Sequence, residues 1–354
     1  MSSNRLTIYE NSITKERLEI SLPLTRKVDI DELRKQIGLP EYVDVSDFQM
    51  QKAIVILWAS RNATRFVESV RGSILPLALF GGGAFRVQCP SLNSKGSLHR
   101  RLNDLDFITL SEYGSDVVRM LCNMASTCGT MFFHGLSSSD RRLNALRGGK
   151  RYRVRAVNDL GPDGVPIPGM LDIICDSLDF CHKINVREDV SRGPLTLSLE
   201  NLLLSKTQLI MKVPKEHVSD SNSIRVIGDF RNQYVLLGME LKDTCDVLGL
   251  LCDHGVGEAE NEFRLAKIRD TLKQDWGLAK TVVLNLRNMH ERLHAISGRL
   301  GMVPNQEQTI RTRLSEILGT ADEAFMKAKR PILSPWKQWW QDVEEPVLSG
   351  TKVE

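Results

Sequence analysis

The sequence predicts an α+β protein, a mixed sheet with flanking helices followed by a helical domain. Two observations carry the prediction. Short runs at Ile74 to Phe80, Leu105 to Leu110, Arg151 to Arg155 and Met170 to Ile174 are apolar or alternate with the period of two that sends successive side chains to opposite faces of a strand. From Leu199 to Lys327 the apolar residues instead recur three and four apart, in stripes that fit a bundle packed against a sheet domain.

Taken in order, residues 1–45 read as an N-terminal arm or small subdomain. Within it, Asp29 to Ile37 has the pattern of a short helix capped near Asp29 and stopped at Gly38 and Pro40. From about Asp47 to Val70, Phe48, Ala53, Ile54, Leu57, Trp58, Phe66 and Val67 share helical spacing and predict a helix leading towards a glycine turn. Residues 46–190 form the sheet-bearing domain: a strand ending at Phe80, a strand from Asp104 to about Leu110, a helix over Gly114 to Ser126, a short strand at Met131 to Phe133, and the Arg151 and Met170 strands. Three prolines and three glycines between Gly161 and Gly169 make that interval a turn or long hairpin loop. Beyond a boundary near 191, helices are expected over Leu199 to Met211, Asn232 to Cys252, Glu258 to Trp276, Ala279 to Ile296 and Gln306 to Lys327, in a domain spanning 191–330. Residues 331–354 are a tail with Trp336, Trp339 and Trp340, read as docked on the bundle.

Composition narrows the functional classes without choosing one. With 354 residues, 42% hydrophobic and 26% charged, the chain can fill two cores and does not read as disordered. A formal charge of +3 argues only weakly for a polyanionic partner. Seven cysteines lack the paired short spacings of a disulfide framework and suit a reducing compartment. No secretory or membrane-spanning pattern is seen, so a cytoplasmic protein without a membrane partner is expected. Cys175, Cys181 and His182 lack a Cys-x-x-Cys pair, and a structural metal reads poorly there.

The chemistry concentrates between Phe80 and Phe107, FGGGAFRVQCPSLNSKGSLHRRLNDLDF. Gly81, Gly82 and Gly83 permit a tight turn and a close backbone approach to a phosphate. Asp104 and Asp106, two apart on a strand, project side by side, and a divalent cation with oxygen ligands is a common reason to hold two carboxylates together. Asp172, on a later strand able to pair beside the first, reads as a third metal carboxylate, with Asp176 the other candidate. His99 and Arg100 precede the aspartates and can neutralise a phosphate or brace the acids; a solvated loop is the plain alternative. Arg151, Arg153 and Arg155 share one face, either as a nucleic-acid contact or as an edge-strand guard against aggregation.

These segments resemble a known family. FGGGAF followed by HRRLNDLDF is similar to the glycine and Asp-x-Asp segments of the AbiEii-type nucleotidyltransferases, in the DNA polymerase beta-like superfamily. Leu199 to Lys206 resembles that family's helix ending in an active-site lysine, and Lys242 to Leu248 its Lys-Asp-x-x-Asp-Leu segment; the order agrees over residues about 75 to 255. The resemblance implies a nucleotidyltransferase-type mixed sheet. It also implies Gly81 and Gly82 at a triphosphate, Asp104 and Asp106 on metal, Lys206 on phosphate, and Asp243 completing the lysine's setting. Asp243 and Asp246 lie one helical turn apart, and one of them is expected to fix Lys206 as an ion pair. Two departures stand out. The interval from Gly82 to Asp104 is longer than the family's, implying an inserted loop around Pro90 to Ser97, and glycine occupies a position often held by serine.

The reaction so implied moves a nucleoside monophosphate from a nucleoside triphosphate to an acceptor hydroxyl with Mg2+ or Mn2+. Family members include toxins that modify RNA, notably the tRNA 3′ end, each with a cognate antitoxin protein. A small-molecule acceptor of the antibiotic type, and a catalytically silent module that binds nucleotide or a partner, are the alternatives.

Overall fold

The computed structural model describes residues 5–10, 17–21, 28–67, 74–93, 98–99, 102, 104–124, 134–160, 166–218, 224–230, 233–331 and 337–342. The fold is mixed α+β, and the chain divides into two compact units. The first comprises 1–178, 185–203 and 245–255, and the second 179–184, 204–244 and 256–354. The division therefore interleaves, in place of one cut near 191. Leu79 accounts for part of this, because its N–H donates to Leu195 and ties the segment after 185 to the sheet of the first unit.

In the first unit, β1 (Arg5–Glu10) and β2 (Arg17–Ser21) form an antiparallel hairpin. Helix α1 (Ile30–Gln36) starts where Asp29 accepts from the Glu32 N–H. Helix α2 (Phe48–Arg61) starts where Asp47 accepts from Gln49 and Met50, a side-chain cap that satisfies donors the first turn leaves orphaned. It stops well short of the expected Val70, in Asn62.

The main sheet has five strands in spatial order β3 (Leu77–Phe80), β4 (Leu105–Thr109), β7 (Pro166–Cys175), β6 (Arg151–Leu160) and β5 (His134–Gly135). Strands β4 and β7 run parallel and the other pairs are antiparallel. The fully buried β3 and the near-buried β4 explain their apolar runs. Helix α3 (Gly81–Gln88) follows β3 without a loop, and α4 (Pro90–Asn93) comes next. Helices α5 (Gly114–Asn123) and α6 (Ser138–Leu146) lie between β4 and β6 in sequence, and α2 and α5 both pack against the sheet. Short strands β8 (Ser177–Asp179) and β9 (Lys183–Asn185) pair with each other, and helix α7 (Arg187–Ser191) follows; the expected strand at 131–133 lies outside the described residues, as do the prolines and glycines of 161–165.

The second unit corrects the sequence reading, because it is not helical throughout. Strands β10 (Met211–Pro214), β11 (Val226–Phe230) and β12 (Tyr234–Leu237) form an antiparallel sheet in the order β10-β12-β11. The run Tyr234-Val235-Leu236-Leu237 has no alternation, so periodicity alone cannot tell it from a buried helix. Its Leu236 joins Cys181, Ile210, Ile227, Phe230 and Trp340 in one apolar cluster, with Tyr234 packed against it. Helix α9 (Leu241–Asp253) begins only afterwards. Helices α11 (Trp276–Leu300) and α12 (Pro304–Lys327) match the expected stripes closely, whereas α10 (Leu265–Gln274) starts well after the expected Glu258. The tail docks as expected at Trp340, which is 6% exposed, and at Trp339, whose indole N–H donates to Thr281; Trp336 lies outside the described residues. Cys181 and His182 are engaged in this packing: the Cys181 thiol bonds the Ile210 carbonyl and the His182 ring bonds Thr281.

Candidate active site

Every described residue of the glycine and aspartate motif falls in the first unit, and the sheet register sets their order. Phe80 is paired with Asp106, Asp106 with Asp172, and Asp172 with Arg153, so one row crosses β3, β4, β7 and β6. Cross-strand partners share a face. The side chains of Asp106, Asp172 and Arg153 therefore stand in line at about 4.8 Å per strand.

Gly81 closes one end of that row. It opens α3 with φ +64°, the left-handed region glycine enters without a Cβ penalty. A Cβ built on it would lie 2.6 Å from Asp106 Oδ2. The first turn of α3 and the Asp106 carboxylate are thus in direct contact, and Phe80, the residue before the helix, makes no side-chain cap. Gly83 is needed for a different reason: a Cβ there would press to 3.0 Å on both Leu79 and Leu105, so it lets α3 settle onto β3 and β4. Asp104 stands just before β4 and is exposed, whereas Asp106 is half-buried. His99 is exposed, and Arg100 lies outside the described residues.

Asp172 is placed as expected on a strand beside Asp106, yet it is already clamped. Arg153 meets it in a fork, Nε to Oδ1 at 3.0 Å and Nη2 to Oδ2 at 3.0 Å, and Arg151 Nη2 reaches Oδ2 at 2.5 Å. Burial by itself would raise this carboxyl; hydrogen bonds from Arg153 and the charge of Arg151 outweigh it and hold the group below its ordinary value. Asp172, expected as the third metal carboxylate, thus has both oxygens hydrogen-bonded to guanidinium groups. Asp176 is removed from the contest, because it follows the far end of β7. There it accepts from the Ser111 N–H and pairs with Arg187.

The same contacts correct the reading of the arginine strand. Arg151, Arg153 and Arg155 do share a face, but they are internal partners: Arg155 pairs with the 2%-exposed Asp140 at 3.0 Å, and the other two hold Asp172. Asn144 on α6 locks Arg153 further, exchanging hydrogen bonds with its backbone N–H and carbonyl. The sequence signal for this arrangement existed in the alternating arginines facing a hairpin partner with one acid, but only the register assigns the pairs.

Lys206 and Asp243 lie in the second unit. Helix α8 (Leu199–Thr207) carries Lys206 near its end, and its ammonium donates to Asp243 Oδ1 at 2.7 Å with both side chains largely buried. Asp243 also accepts from the Glu240 N–H. The expected ion pair is therefore present, and Asp243 is the partner. Asp246, 1% exposed, belongs to the first unit; with burial first and Asp253 next, its charge pushes the Cys89 thiol well up.

Could these residues hold a divalent cation? Among the described residues no group of three or more His, Cys, Asp and Glu side chains is arranged to do so. Asp104 and Asp106 nevertheless suit Mg2+, which is commonly bound through one or two carboxylates with substrate phosphates and water completing an octahedron. Among the described residues, no helix is long and apolar enough to cross a membrane. Comparison with family models, with characterised proteins and with solved structures finds no match to this chain.

Proposed function

We propose that the first unit is a nucleotidyl-transfer domain acting on a nucleoside triphosphate and an acceptor hydroxyl. One observation carries the reading: the carboxylate of Asp106 lies against the first residue of a helix that opens with three glycines. A helix N-terminus favours an anion through its N–H groups and dipole. A carboxylate and a phosphate at the same terminus repel unless a cation lies between them. That combination of glycine helix start and paired acids is what a metal-bridged phosphate needs.

Asp104 and Asp106 are assigned as the residues that hold the ion. Bound there, Mg2+ supplies positive charge to the transferring phosphoryl group. The chain's own part is positional. Gly81 keeps the backbone close because no side chain fits between it and Asp106, and the fixed row of β3, β4 and β7 holds the Asp106 carboxylate without reorganisation. Asp172, clamped by Arg151 and Arg153, serves as an anchor for that row. Lys206 is assigned to phosphate by the family resemblance alone, and its hydrogen bond to Asp243 orients it.

The test is incubation of the chain with each radiolabelled nucleoside triphosphate, Mg2+ and total RNA, with Asp106→Asn as control. Label transferred by the wild type and lost in the variant is the expected result; equal labelling by both removes the metal assignment. The commitment of Asp172 to two arginines favours a second reading, a nucleotide-binding module without turnover. It predicts Mg2+-dependent triphosphate binding with no label transferred to RNA or to small hydroxyl acceptors.

A further inference from the structure

The second unit holds a cavity of about 230 Å³, and every residue lining it belongs to that unit. Its walls are the stretch before β11, the turn after β12, the start of α9 and the middle and end of α11. Two asparagines of α11 pin the rims. Asn285 accepts from the Met239 N–H at 3.1 Å and donates to the Thr207 and Leu209 carbonyls, while Asn288 donates to the Ile224 carbonyl at 2.8 Å. Residues three apart on a helix are neighbours on one face. A single helix face therefore fixes both loops, and the space between them is preformed.

The lining divides by polarity. The buried Met239, Met289 and Ile296 form an apolar floor, and the flexible methionine side chain adapts to what fills the space beside it. Arg225, Glu240 and Arg299, half-buried or exposed, stand at the mouth. Glu240 is already answered, at 3.8 Å from Arg225 and 3.2 Å from Lys242. Arg299, on the last turn of α11, makes no hydrogen bond or ion pair among the described residues. A cation at a helix C-terminus complements the dipole, but this one also lines a cavity, whose mouth carries two guanidinium groups and one carboxylate. A monoanion balances that mouth, and a carboxylate fits the planar guanidinium fork. An apolar cavity of about 150 Å³ takes one benzene, so this one has room for about nine non-hydrogen atoms. We propose that the cavity binds a small monocarboxylate, its apolar body on Met239, Met289 and Ile296 and its carboxylate at Arg299 and Arg225. Neither Lys206 nor Asp243 lines it, so the site is additional to the nucleotide site and does not rest on the nucleotidyl-transfer reading.

The test is titration of the full chain with four probes: phenylacetate and octanoate, phenylacetamide as the neutral isostere, and phenethylamine as the cation. Methyl NMR of the eleven methionines, assigned by Met→Leu substitution, locates the binding. Either carboxylate at millimolar concentration should move the Met239 and Met289 signals, and phenylacetate should bind more tightly than phenylacetamide. Arg299→Gln, a change at an exposed position, should weaken carboxylate binding about tenfold, as for a hydrogen bond to a charged group, and leave phenylacetamide unaffected. Leu241→Trp, at the half-buried rim, should block every probe, with thermal unfolding used to confirm that both variants are folded. Binding of neither carboxylate, or shifts confined to other methionines, overturns the site. Phenylacetamide or phenethylamine binding as tightly as phenylacetate overturns the carboxylate assignment, as does carboxylate affinity unchanged in Arg299→Gln.

Discussion

Gly81 and Asp106 are matched by exclusion: a Cβ on the first would stand 2.6 Å from a carboxylate oxygen of the second. With φ at +64°, Gly81→Ala meets two penalties, a left-handed backbone costing roughly 1–2 kcal/mol and a carboxylate pushed off its position. Urea unfolding should show a loss of about 2–4 kcal/mol, and nucleotide-dependent labelling should disappear. In Gly81→Ala/Asp106→Ala the clash is gone, so the combined loss should be less than the sum of the single losses. Strict additivity would mean that the two residues do not compete for space.

Asp172 should report its arginines through acid stability. Its folded carboxyl lies below 3.8 despite burial, because of Arg153 and Arg151. A carboxyl depressed in the folded state contributes stability that is present above its unfolded value and lost as pH falls through the folded one. Asp172→Asn leaves buried guanidinium uncompensated and should cost on the order of 3 kcal/mol at pH 7. The gap between wild type and variant should narrow below pH about 4. A gap undiminished at pH 3 would contradict the charge-based account.

For Lys206 and Asp243, 2.7 Å apart and only 14% and 5% exposed at their side chains, removing one partner strands the other. Lys206→Ala and Asp243→Ala should each lose on the order of 3 kcal/mol, and Lys206→Met/Asp243→Leu should recover much of it. Triphosphate titration of the three variants, at temperatures where each is folded, separates phosphate contact from stability. Unchanged affinity in all of them would leave the pair a purely structural one.

What could be read in the sequence follows from how local the signal was. The strand that follows Asp104 and the two long helices after Trp276 are encoded by neighbours in the chain and were legible, whereas the three glycines, read as a turn, open a helix. The clamp on Asp172 was not, because it depends on hairpin register between Arg153 and a residue 19 positions on. Neither was β12, whose four apolar residues suit helix or strand until Val235 meets Val213 and Asp229 across the small sheet. The arginine strand was half legible: its alternation fixed the face, but the acids on that face came from α6 and β7. Lys52 left no trace at all, being a polar residue in a helical stretch that any pattern would turn towards solvent.

Lys52 is nevertheless wholly buried on α2, with its Nζ donating to the Val157 carbonyl at 2.6 Å. Burial pulls its ammonium down to about 7, and His134 nearby is held well below its usual range by burial first and by the Lys52 charge second. The sign follows from proton counts. Between about 7 and the unfolded value of 10.5 the unfolded chain binds a proton that the folded chain does not, so stability rises with pH across that window. Below pH about 7 both states are protonated and the full cost of the buried charge is present. Lys52→Met removes the charge and keeps most of the volume, so its stability relative to wild type should be highest at pH 6 and should fall progressively up to pH 10. The change between those limits should be at most on the order of 4 kcal/mol. Urea unfolding of both proteins at pH 6, 8 and 10 measures it. A difference that does not move with pH would mean that Lys52 reaches water in the folded state and never gives up its proton.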